Sequence, residues 1–485
     1  MIYVMTKGHD YKHDLFELVR VFLPKEKIIF VNDKSNLQAK AYLLETEVIG
    51  SSEIFIFIRV FKDGELILKD CENIDIYTPS DYYINTPIKQ AVKRGVYRIL
   101  NKLTKKLPPW GILTGIRPVK INHDLYEKGI DDNDIYSILL EKYMLSSQKA
   151  SLVKSIAKLQ RKHIYPLDSD RYSLYVGIPF CPSKCTYCSF PSFTINNASN
   201  VDNYIKSLLY ELRMIARMMK GKKLNTVYIG GGTPTALKTK DLELIIKLIR
   251  EIFPKNIKEF TVEAGRPDTI DSEILSMLKD YKIDRISINP QTMNNETLDL
   301  VGRKHNSQSI NKAYNLAKSL GFDIINMDII LGLPGENIED LRNTLGQIKK
   351  LDPNNLTLHT LSIKRGSRIH KDRDAYMDKG LEIEDMLEEV FVYGKEMGLE
   401  PYYLYRQKQI LGNLENIGFS KKNKESIYNI AMMEEKETII AAGLGGVSKI
   451  FYPNENRIER IPNFKSLRDY VERIDELILR KQKYI

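Results

Sequence analysis

The sequence predicts an α/β protein in which a partial (β/α)6 barrel follows an α+β N-terminal domain and precedes a C-terminal extension of helices and strands. Two observations predict this class. Between residues 173 and about 363, short apolar runs alternate with segments of helical periodicity, and the alternation repeats six times. Apolar strands that alternate with helices form parallel sheets. With 485 residues, the chain is also longer than one hydrophobic core usually supports, so several domains are expected.

The first predicted domain, residues 1–165, combines short β-rich runs with amphipathic helices. A stretch rich in proline and glycine follows them and contains the only tryptophan, Trp110. A helical segment then leads to the next domain, and we assign no chemistry to this region. The predicted strands are 28–31, 39–44 and 54–58, and the predicted helices are about 11–22, 86–104 and 132–163.

The second predicted domain, residues 166–370, is the barrel. In such barrels the chemistry lies at the carboxyl ends of the strands, and every conspicuous motif of this chain falls at or just after a predicted strand end. The six predicted strands are residues 174–179, 226–229, 259–264, 285–289, 324–332 and 356–362.

The third predicted domain, residues 371–485, contains an acidic helix, an aromatic strand, a glycine-rich turn at 443–446 and a basic terminal helix. The predicted acidic helix is 381–395 and the predicted strand is 401–406. We expect this domain to shape the substrate site.

Composition predicts a soluble, cytoplasmic protein. No apolar run approaches the roughly 18 to 20 residues that cross a bilayer, and the N-terminal segment lacks the features of an export signal. The net charge is +10, but lysine and arginine are interspersed with acidic residues. This pattern favours a solvated surface, so we expect neither a membrane span nor a nucleic-acid partner. An acidic small-molecule substrate also fits the charge balance.

Three of the four cysteines indicate a metal centre, because Cys181, Cys185 and Cys188 form a C-x₃-C-x₂-C motif just after the first barrel strand. Three thiolates on one loop can hold one face of an iron–sulfur cube and leave a fourth iron without a protein ligand. Structural zinc is the alternative, but it needs a fourth ligand, and neither Cys nor His occurs between Cys188 and His305. We interpret the isolated Cys71 as an incidental thiol.

Further motifs follow the next barrel strands. Three consecutive glycines at 230–232 let the backbone approach a ligand closely. Glu263 ends the third strand among apolar residues, where a buried carboxylate needs a partner. A structural ion pair with Arg266 is one interpretation of Glu263. Asp328 lies within an otherwise apolar fifth strand, so it is expected to face a polar pocket.

The cysteine motif, with Tyr187 before its last cysteine, resembles the signature of the radical S-adenosylmethionine (SAM) superfamily. The resemblance implies a radical SAM barrel with a 4Fe–4S cluster whose open iron binds SAM. Reductive cleavage of SAM then yields a 5′-deoxyadenosyl radical, which abstracts a hydrogen atom. It also implies an electron donor such as a flavodoxin or a ferredoxin.

Within that superfamily, the chain is most similar to the oxygen-independent coproporphyrinogen III oxidase (coproporphyrinogen dehydrogenase) family, in a longer branch with an extra N-terminal domain. By this resemblance Tyr175, Gly231 and Glu263 contact the cluster-bound SAM, and Tyr175 is the candidate catalytic residue. The sequence leaves open whether a second SAM binds. The positions that match a second site are Tyr187, Gly232, Thr233, Gln291, Arg303, Asp328 and His359.

The implied function is oxidative decarboxylation of coproporphyrinogen III to protoporphyrinogen IX, with Arg303, Lys364 and Arg365 as candidate carboxylate clamps. One departure from the motif weakens the assignment to the oxidase branch, because Ser189 and Phe190 occupy the positions where that branch has Gly-Cys. A haem-binding chaperone relative is therefore an alternative, although the C-terminal region lacks a His-Asn-x-x-Tyr-Trp haem-ligand motif. A radical SAM enzyme acting on RNA is a third hypothesis.

Overall fold

A computed structural model describes residues 1–35, 37–51, 53–75, 86–115, 117–195, 198–364, 366–368, 380–407 and 410–485. The clamp candidate Arg365 and the predicted domain boundary at residue 370 lie outside these ranges. The chain forms two compact units, Met1–Lys158 and Leu159–Ile485. Among the described residues, no helix is both long and apolar enough to cross a membrane.

The first unit is built on a five-stranded sheet in the order β2-β1-β3-β4-β5, which confirms the α+β prediction. Strands β2, β1 and β3 are parallel, whereas β3, β4 and β5 are antiparallel. Strand β4 alternates strictly, with Ile54, Ile56, Ile58 and Val60 buried. The elements are β1 (Ile2–Lys7), α1 (Lys12–Phe22), β2 (Ile28–Phe30), β3 (Tyr42–Ile49), β4 (Glu53–Lys62), β5 (Glu65–Asp75), α2 (Pro87–Thr104), α3 (Pro118–Glu127), α4 (Asp132–Glu141) and α5 (Ser147–Ile164), which continues into the second unit.

The second unit alternates strands and helices up to residue 360 and then adds further strands and helices. Its elements are β6 (Arg171–Ile178), β7 (Phe180–Cys181), β8 (Phe193–Thr194), α6 (Ala198–Met218), β9 (Lys223–Gly231), α7 (Thr239–Ile252), β10 (Glu259–Glu263), α8 (Ser272–Asp280), β11 (Arg285–Ser287), α9 (Asn295–Leu300), α10 (Ser307–Ser319), β12 (Ile324–Leu331), α11 (Ile338–Leu351), β13 (Asn355–Thr360), α12 (Gly380–Glu396), β14 (Glu400–Tyr405), β15 (Asn416–Ser420), α13 (Ile427–Glu434), β16 (Thr438–Ala442), β17 (Val447–Tyr452), β18 (Arg457–Pro462), α14 (Leu467–Glu472) and α15 (Ile474–Gln482).

The six predicted barrel strands form one parallel series in chain order, β6-β9-β10-β11-β12-β13. A further parallel strand, β16, pairs with β6 from Thr438–Tyr172 to Ala442–Val176. The sequence did not predict β16, because it follows the end of the βα repeat. Antiparallel strands extend both edges, with β15 and β14 beyond β13 and with β17 and β18 beyond β16.

The barrel strands have one apolar and one polar face. The positions on the apolar face, such as Leu174, Val227 and Phe260, are fully buried. Because side chains alternate along a strand, the positions between them share the opposite face. The residues on that face include Tyr175, Tyr228, Glu263, Ser287, Asn326, Asp328, Thr357 and His359. Closed (β/α) barrels usually fill this face with branched aliphatic side chains, so a polar lining indicates an interior that holds a ligand.

A buried ion pair fastens the C-terminal helix α15 to the barrel. The Lys481 ammonium lies 2.5 Å from the Glu211 carboxylate, and both side chains are fully buried. Glu211 also accepts hydrogen bonds from the backbone N–H of Gly443 at 2.8 Å and from the hydroxyl of Tyr470 at 2.6 Å. This network joins α6, α14 and α15 to the glycine-rich turn after β16.

Candidate active site at the carboxyl end of the barrel

The three predicted metal ligands lie on one loop that starts at the end of β7, and all three thiols are free. Cys185 is buried, and the other two are half-buried. The backbone of Thr186 fixes this cluster loop, residues 181–190, from two sides. Its N–H donates to the carbonyl of Val301 at 3.0 Å, and its carbonyl accepts from the N–H of Arg368 at 2.8 Å.

Arg266 forms hydrogen bonds to the cluster loop, and the sequence analysis did not predict this role. Its guanidinium donates to the carbonyl and hydroxyl oxygens of Ser183, at 3.2 and 2.9 Å. It also forms a bidentate pair with Asp268, at 3.0 and 2.9 Å. Burial alone would raise the pKa of Asp268, but the neighbouring His305, whose Nδ1 atom lies 3.4 Å away, and the hydrogen bonds from Arg266 hold it well below its usual value. Asp268 therefore orients the arginine that orients the loop.

Glu263 does not pair with Arg266, so that interpretation is wrong. The carboxylate instead accepts hydrogen bonds from the Tyr228 hydroxyl at 2.5 Å and from the backbone N–H of Gly231 at 3.1 Å. Burial and, to a smaller extent, the nearby charge of Asp328 raise the pKa of Glu263 to about 7, against the lowering effect of these two hydrogen bonds. Glu263 is thus a carboxylate that changes charge near neutral pH.

The three-glycine segment packs against the ends of β6 and β7, which lead into the cluster loop. The N–H of Gly232 donates to the carbonyl of Ile178 at 2.7 Å, and that of Thr233 donates to the carbonyl of Phe180 at 2.8 Å. A Cβ atom on Gly232 would lie 2.8 Å from the carbonyl oxygen of Ile178 and 2.6 Å from that of Phe180, so no larger residue fits. The Thr233 hydroxyl lies 3.5 Å from the sulfur of Cys181.

Three tyrosines form a stack on the polar side of the barrel. The ring centroids of Tyr228 and Tyr428 are 4.4 Å apart, and Tyr175 lies 6.3 Å from each, with all ring planes within 22° of parallel. Burial raises the pKa of all three hydroxyls. Tyr428 belongs to α13, whose first backbone N–H groups donate to the buried carboxylate of Glu259. The sequence gave no signal for Tyr428, because its role depends on where α13 packs.

Asp328 and His359 begin a chain of polar contacts in the same interior. The two side chains are 3.7 Å apart, and the Nδ1 atom of His359 lies 3.3 Å from the Tyr405 hydroxyl. Asp328 also accepts a hydrogen bond from the Asn326 amide at 2.7 Å. Tyr405 belongs to β14, which the sequence predicted only as an aromatic strand. The structure therefore brings Asp328 and His359 together, and their assignment to a second SAM site stays a prediction.

Gln291 and Arg303 lie beside this chain. Gln291 has a φ angle of +67°, which is uncommon outside glycine and often marks a functional constraint. Within the described part of the chain, its buried Oε1 atom and the Nε atom of Arg303 have no hydrogen-bond partner. Arg303 donates to the carbonyl of Asn289 at 2.6 Å and interacts with Tyr187 and Cys185. Such buried, unpaired polar atoms suit a polar ligand.

The residues present fit the implied cofactors in donor chemistry. Three thiols on one loop suit three irons of a cube. In the described ranges, no three His, Cys, Asp or Glu side chains come together as the ligand set of one metal ion. The assignment of individual residues to cluster or SAM stays a prediction.

Comparison with known proteins identifies the class. A family model described as the radical SAM superfamily matches residues 175–348, so the barrel and its thiol loop define a radical SAM protein, a class whose cofactors are a 4Fe–4S cluster and SAM. The oxygen-independent coproporphyrinogen-III oxidase-like protein HemZ of Bacillus subtilis (strain 168) is 41% identical over 82% of this chain and 81% of its own length. The chain belongs to this family of oxygen-independent coproporphyrinogen-III oxidase-like radical SAM proteins.

Two further relatives bear on function and fold. Heme chaperone HemW of Bacillus subtilis (strain 168) is 31% identical over 40% of this chain and 51% of its own length. The solved coproporphyrinogen III oxidase HemN of Escherichia coli superposes with a TM-score of 0.52 and 24% identity, and the match covers 66% of this chain and 72% of HemN. At this identity HemN supports the fold alone, and it confirms the predicted radical SAM barrel.

Proposed function

We propose that this chain is a cytoplasmic radical SAM oxidoreductase of anaerobic porphyrin and haem biosynthesis. Its proposed reaction is the oxidative decarboxylation of two propionate side chains of coproporphyrinogen III to vinyl groups, giving protoporphyrinogen IX. The name of the HemZ relative, which matches four-fifths of both chains, supports the substrate class. The observation that carries the chemistry is the position of the thiol loop at the carboxyl end of a barrel whose interior is polar.

The proposed reaction balances one propionate at a time. When bound, the cluster and SAM supply the abstraction of one hydrogen atom from the propionate carbon next to the pyrrole ring. Loss of CO₂ and of one further electron then leaves the vinyl group, and an external acceptor must take that electron. The barrel has to bind and orient the porphyrinogen and to keep water from the reacting carbon.

Residues of the barrel interior, and one exposed lysine after the last barrel strand, suit these tasks. We propose that Tyr175, Gly231 and Glu263 bind the cluster-bound SAM, where Glu263 accepts a hydrogen bond best in its ionised form. Arg303 has an unpaired Nε atom and suits a carboxylate, either of a second SAM or of the substrate. Lys364 is exposed after the sixth barrel strand and is the second candidate clamp.

A haem-binding function is the second candidate, because several relatives at 27–33% identity are named heme chaperone HemW. In the described part of the second unit, His305 contacts Asp268 and His163 lies 3.9 Å from Glu425. His359 lies in the barrel interior beside Asp328. Binding of haem to His359 would compete with its contacts to Asp328 and Tyr405, which favours the enzymatic function.

The deciding experiment uses the full chain reconstituted anaerobically with iron and sulfide. It receives SAM, a reductant and coproporphyrinogen III, and chromatography follows 5′-deoxyadenosine and porphyrin products. We expect protoporphyrinogen and 5′-deoxyadenosine from the wild type and from the Cys71→Ala control, and neither from Cys185→Ala. If 5′-deoxyadenosine forms while the porphyrinogen stays intact, the substrate proposal is wrong. Stable haem binding without turnover would then select the chaperone function.

A further inference from the structure

Arg266 is a buried cation beside the cluster loop, and the resemblance to the oxidase family assigns it no role. Its side chain is 4% exposed, and a charge at that depth is costly unless hydrogen bonds compensate it. Four hydrogen bonds do so, two to Asp268 and two to Ser183. Because a guanidinium carries its donors in one rigid plane, these bonds determine both its position and its orientation.

The donors of this guanidinium face in two directions. The Nε and Nη2 atoms face the carboxylate of Asp268, whereas the Nη1 atom faces Ser183. The guanidinium therefore lies between the carboxylate and the cluster loop. Asp268 is 3.4 Å from the Nδ1 atom of the buried His305, and the carbonyl of Arg266 accepts the hydroxyl of Thr269 at 2.8 Å. Both the backbone and the side chain of Arg266 are thus held in place.

Ser183 is the point of the loop where such a contact has the most effect, because it lies midway between the ligands Cys181 and Cys185. Arg266 donates to its carbonyl at 3.2 Å and to its hydroxyl at 2.9 Å. The same hydroxyl donates to the carbonyl of Gly302 at 3.1 Å. A rotation of the backbone at Ser183 would change the distance between the two thiols, so these bonds fix the relative positions of Cys181 and Cys185.

The charge of Arg266 also acts on a metal ligand. Burial raises the pKa of the Cys181 thiol, and the charge of Arg266 opposes this increase. An iron–sulfur cluster becomes more negative by one charge when it is reduced, and its net charge and the hydrogen bonds around it are among the factors that set its reduction potential. A positive charge beside the loop therefore favours the reduced state.

We infer that Arg266, oriented by Asp268, is a positioning residue that holds the cluster loop and whose charge raises the reduction potential of the cluster. The inference rests on the radical SAM class of the protein and not on the porphyrinogen substrate. Reduction moves one electron from the reductant to the cluster, and no bond forms or breaks in that step. Arg266 stays protonated throughout, as arginine does in proteins.

Two measurements on Arg266 variants test the two parts of the inference. Amide hydrogen exchange of residues 181–190, in the full-length protein before reconstitution, measures how firmly the loop is held. A dithionite titration of the reconstituted protein, followed by electron paramagnetic resonance, measures the reduction potential. The variants are Arg266→Gln, which removes the charge, and Arg266→Lys, which keeps the charge but not the planar set of donors. The matched control is Arg250→Gln, because Arg250 donates to the carbonyls of Tyr281 and Lys282, at 2.9 and 2.8 Å, between α8 and β11.

We expect exchange in the loop to be about tenfold faster in both Arg266 variants, since each loses charge-assisted hydrogen bonds. At a fixed potential, Arg266→Gln should lower the ratio of reduced to oxidised cluster about tenfold, which is equivalent to about 59 mV for one electron. Arg266→Lys should keep most of the wild-type ratio, and the Arg250 control should match the wild type in both measurements.

Three outcomes would overturn the inference. Exchange in Arg266→Gln that equals the wild type would show that Arg266 does not hold the loop. Equal shifts of potential in Arg266→Gln and Arg266→Lys would show that its charge does not set the potential. Equal effects in the Arg250 control would indicate a general loss of stability. Neither measurement contains porphyrinogen, so failure of the substrate proposal does not affect them.

Discussion

Replacing Glu263 by glutamine should change how the stability of the protein depends on pH. Burial raises the pKa of this carboxyl group from 4.5 to about 7. The folded protein therefore keeps the proton over a range in which the unfolded chain releases it. The resulting stabilisation is fully present below about pH 4.5 and is lost as the pH rises through about 7.

The magnitude follows from the two pKa values. Each pKa unit is equivalent to about 1.36 kcal/mol, so ionisation of Glu263 lowers the free energy of unfolding by about 3 kcal/mol in total. Between about pH 5.5 and about pH 8, the loss is about 2 kcal/mol by the same linkage. Glu263→Gln removes the titrating group but keeps an oxygen that can accept from Tyr228. The variant should lack this part of the pH dependence.

The assay is urea unfolding followed by far-ultraviolet circular dichroism at both pH values. Glu273→Gln is the control, because Glu273 is exposed on α8 and its replacement should leave the pH dependence as in the wild type. Asp328→Asn should lower the pKa of Glu263, since the charge of Asp328 raises it. The loss of free energy of unfolding between the two pH values should therefore be smaller in this variant. If the wild type and Glu263→Gln lose the same free energy between the two pH values, Glu263 is already ionised at the lower one and the reasoning fails.

Three further predictions concern the cluster loop and the C-terminal helix. Cys185→Ala should abolish the visible absorbance and iron content of the reconstituted protein, whereas Cys71→Ala should keep both. Gly232→Ala should force two carbonyl oxygens apart and lower stability by about 1–3 kcal/mol, with weaker SAM binding by calorimetry; unchanged affinity would exclude a role of this glycine in the site. Lys481→Met should leave a buried carboxylate without its cation and lower the free energy of unfolding by about 3–5 kcal/mol. Lys483→Met, at an exposed position of the same region, should change it little.

The barrel and the cluster loop were predictable because their signals are local. Each barrel strand is an apolar run between helices, and the three cysteines are within eight positions of one another. Glycine at position 232 is required by close backbone contacts, and the sequence shows such a requirement directly as a run of glycines.

The partners of the charged groups were not predictable, because they depend on distant segments. Glu263 and Arg266 are close in sequence, yet Glu263 bonds to Tyr228 and Gly231, while Arg266 bonds to Asp268 and to Ser183 on the cluster loop. The position of each residue relative to the end of β10 explains this difference in partners. Glu263 is the last residue of β10 and lies on its polar face, whereas Arg266 follows the strand and extends toward the loop.

The C-terminal region contributes to the barrel itself, because its parts contact the barrel at both ends of the strands. Glu259, the first residue of β10, accepts hydrogen bonds from the start of α13, and α13 carries Tyr428 into the stack with Tyr228. Near the carboxyl end, the glycine-rich turn after β16 is bonded to Glu211, which also holds α15. Tyr228 in turn donates to the Glu263 carboxylate. The tyrosine that donates to Glu263 thus packs against a ring that follows the βα repeat by more than sixty positions, so the repeat alone is not a complete site.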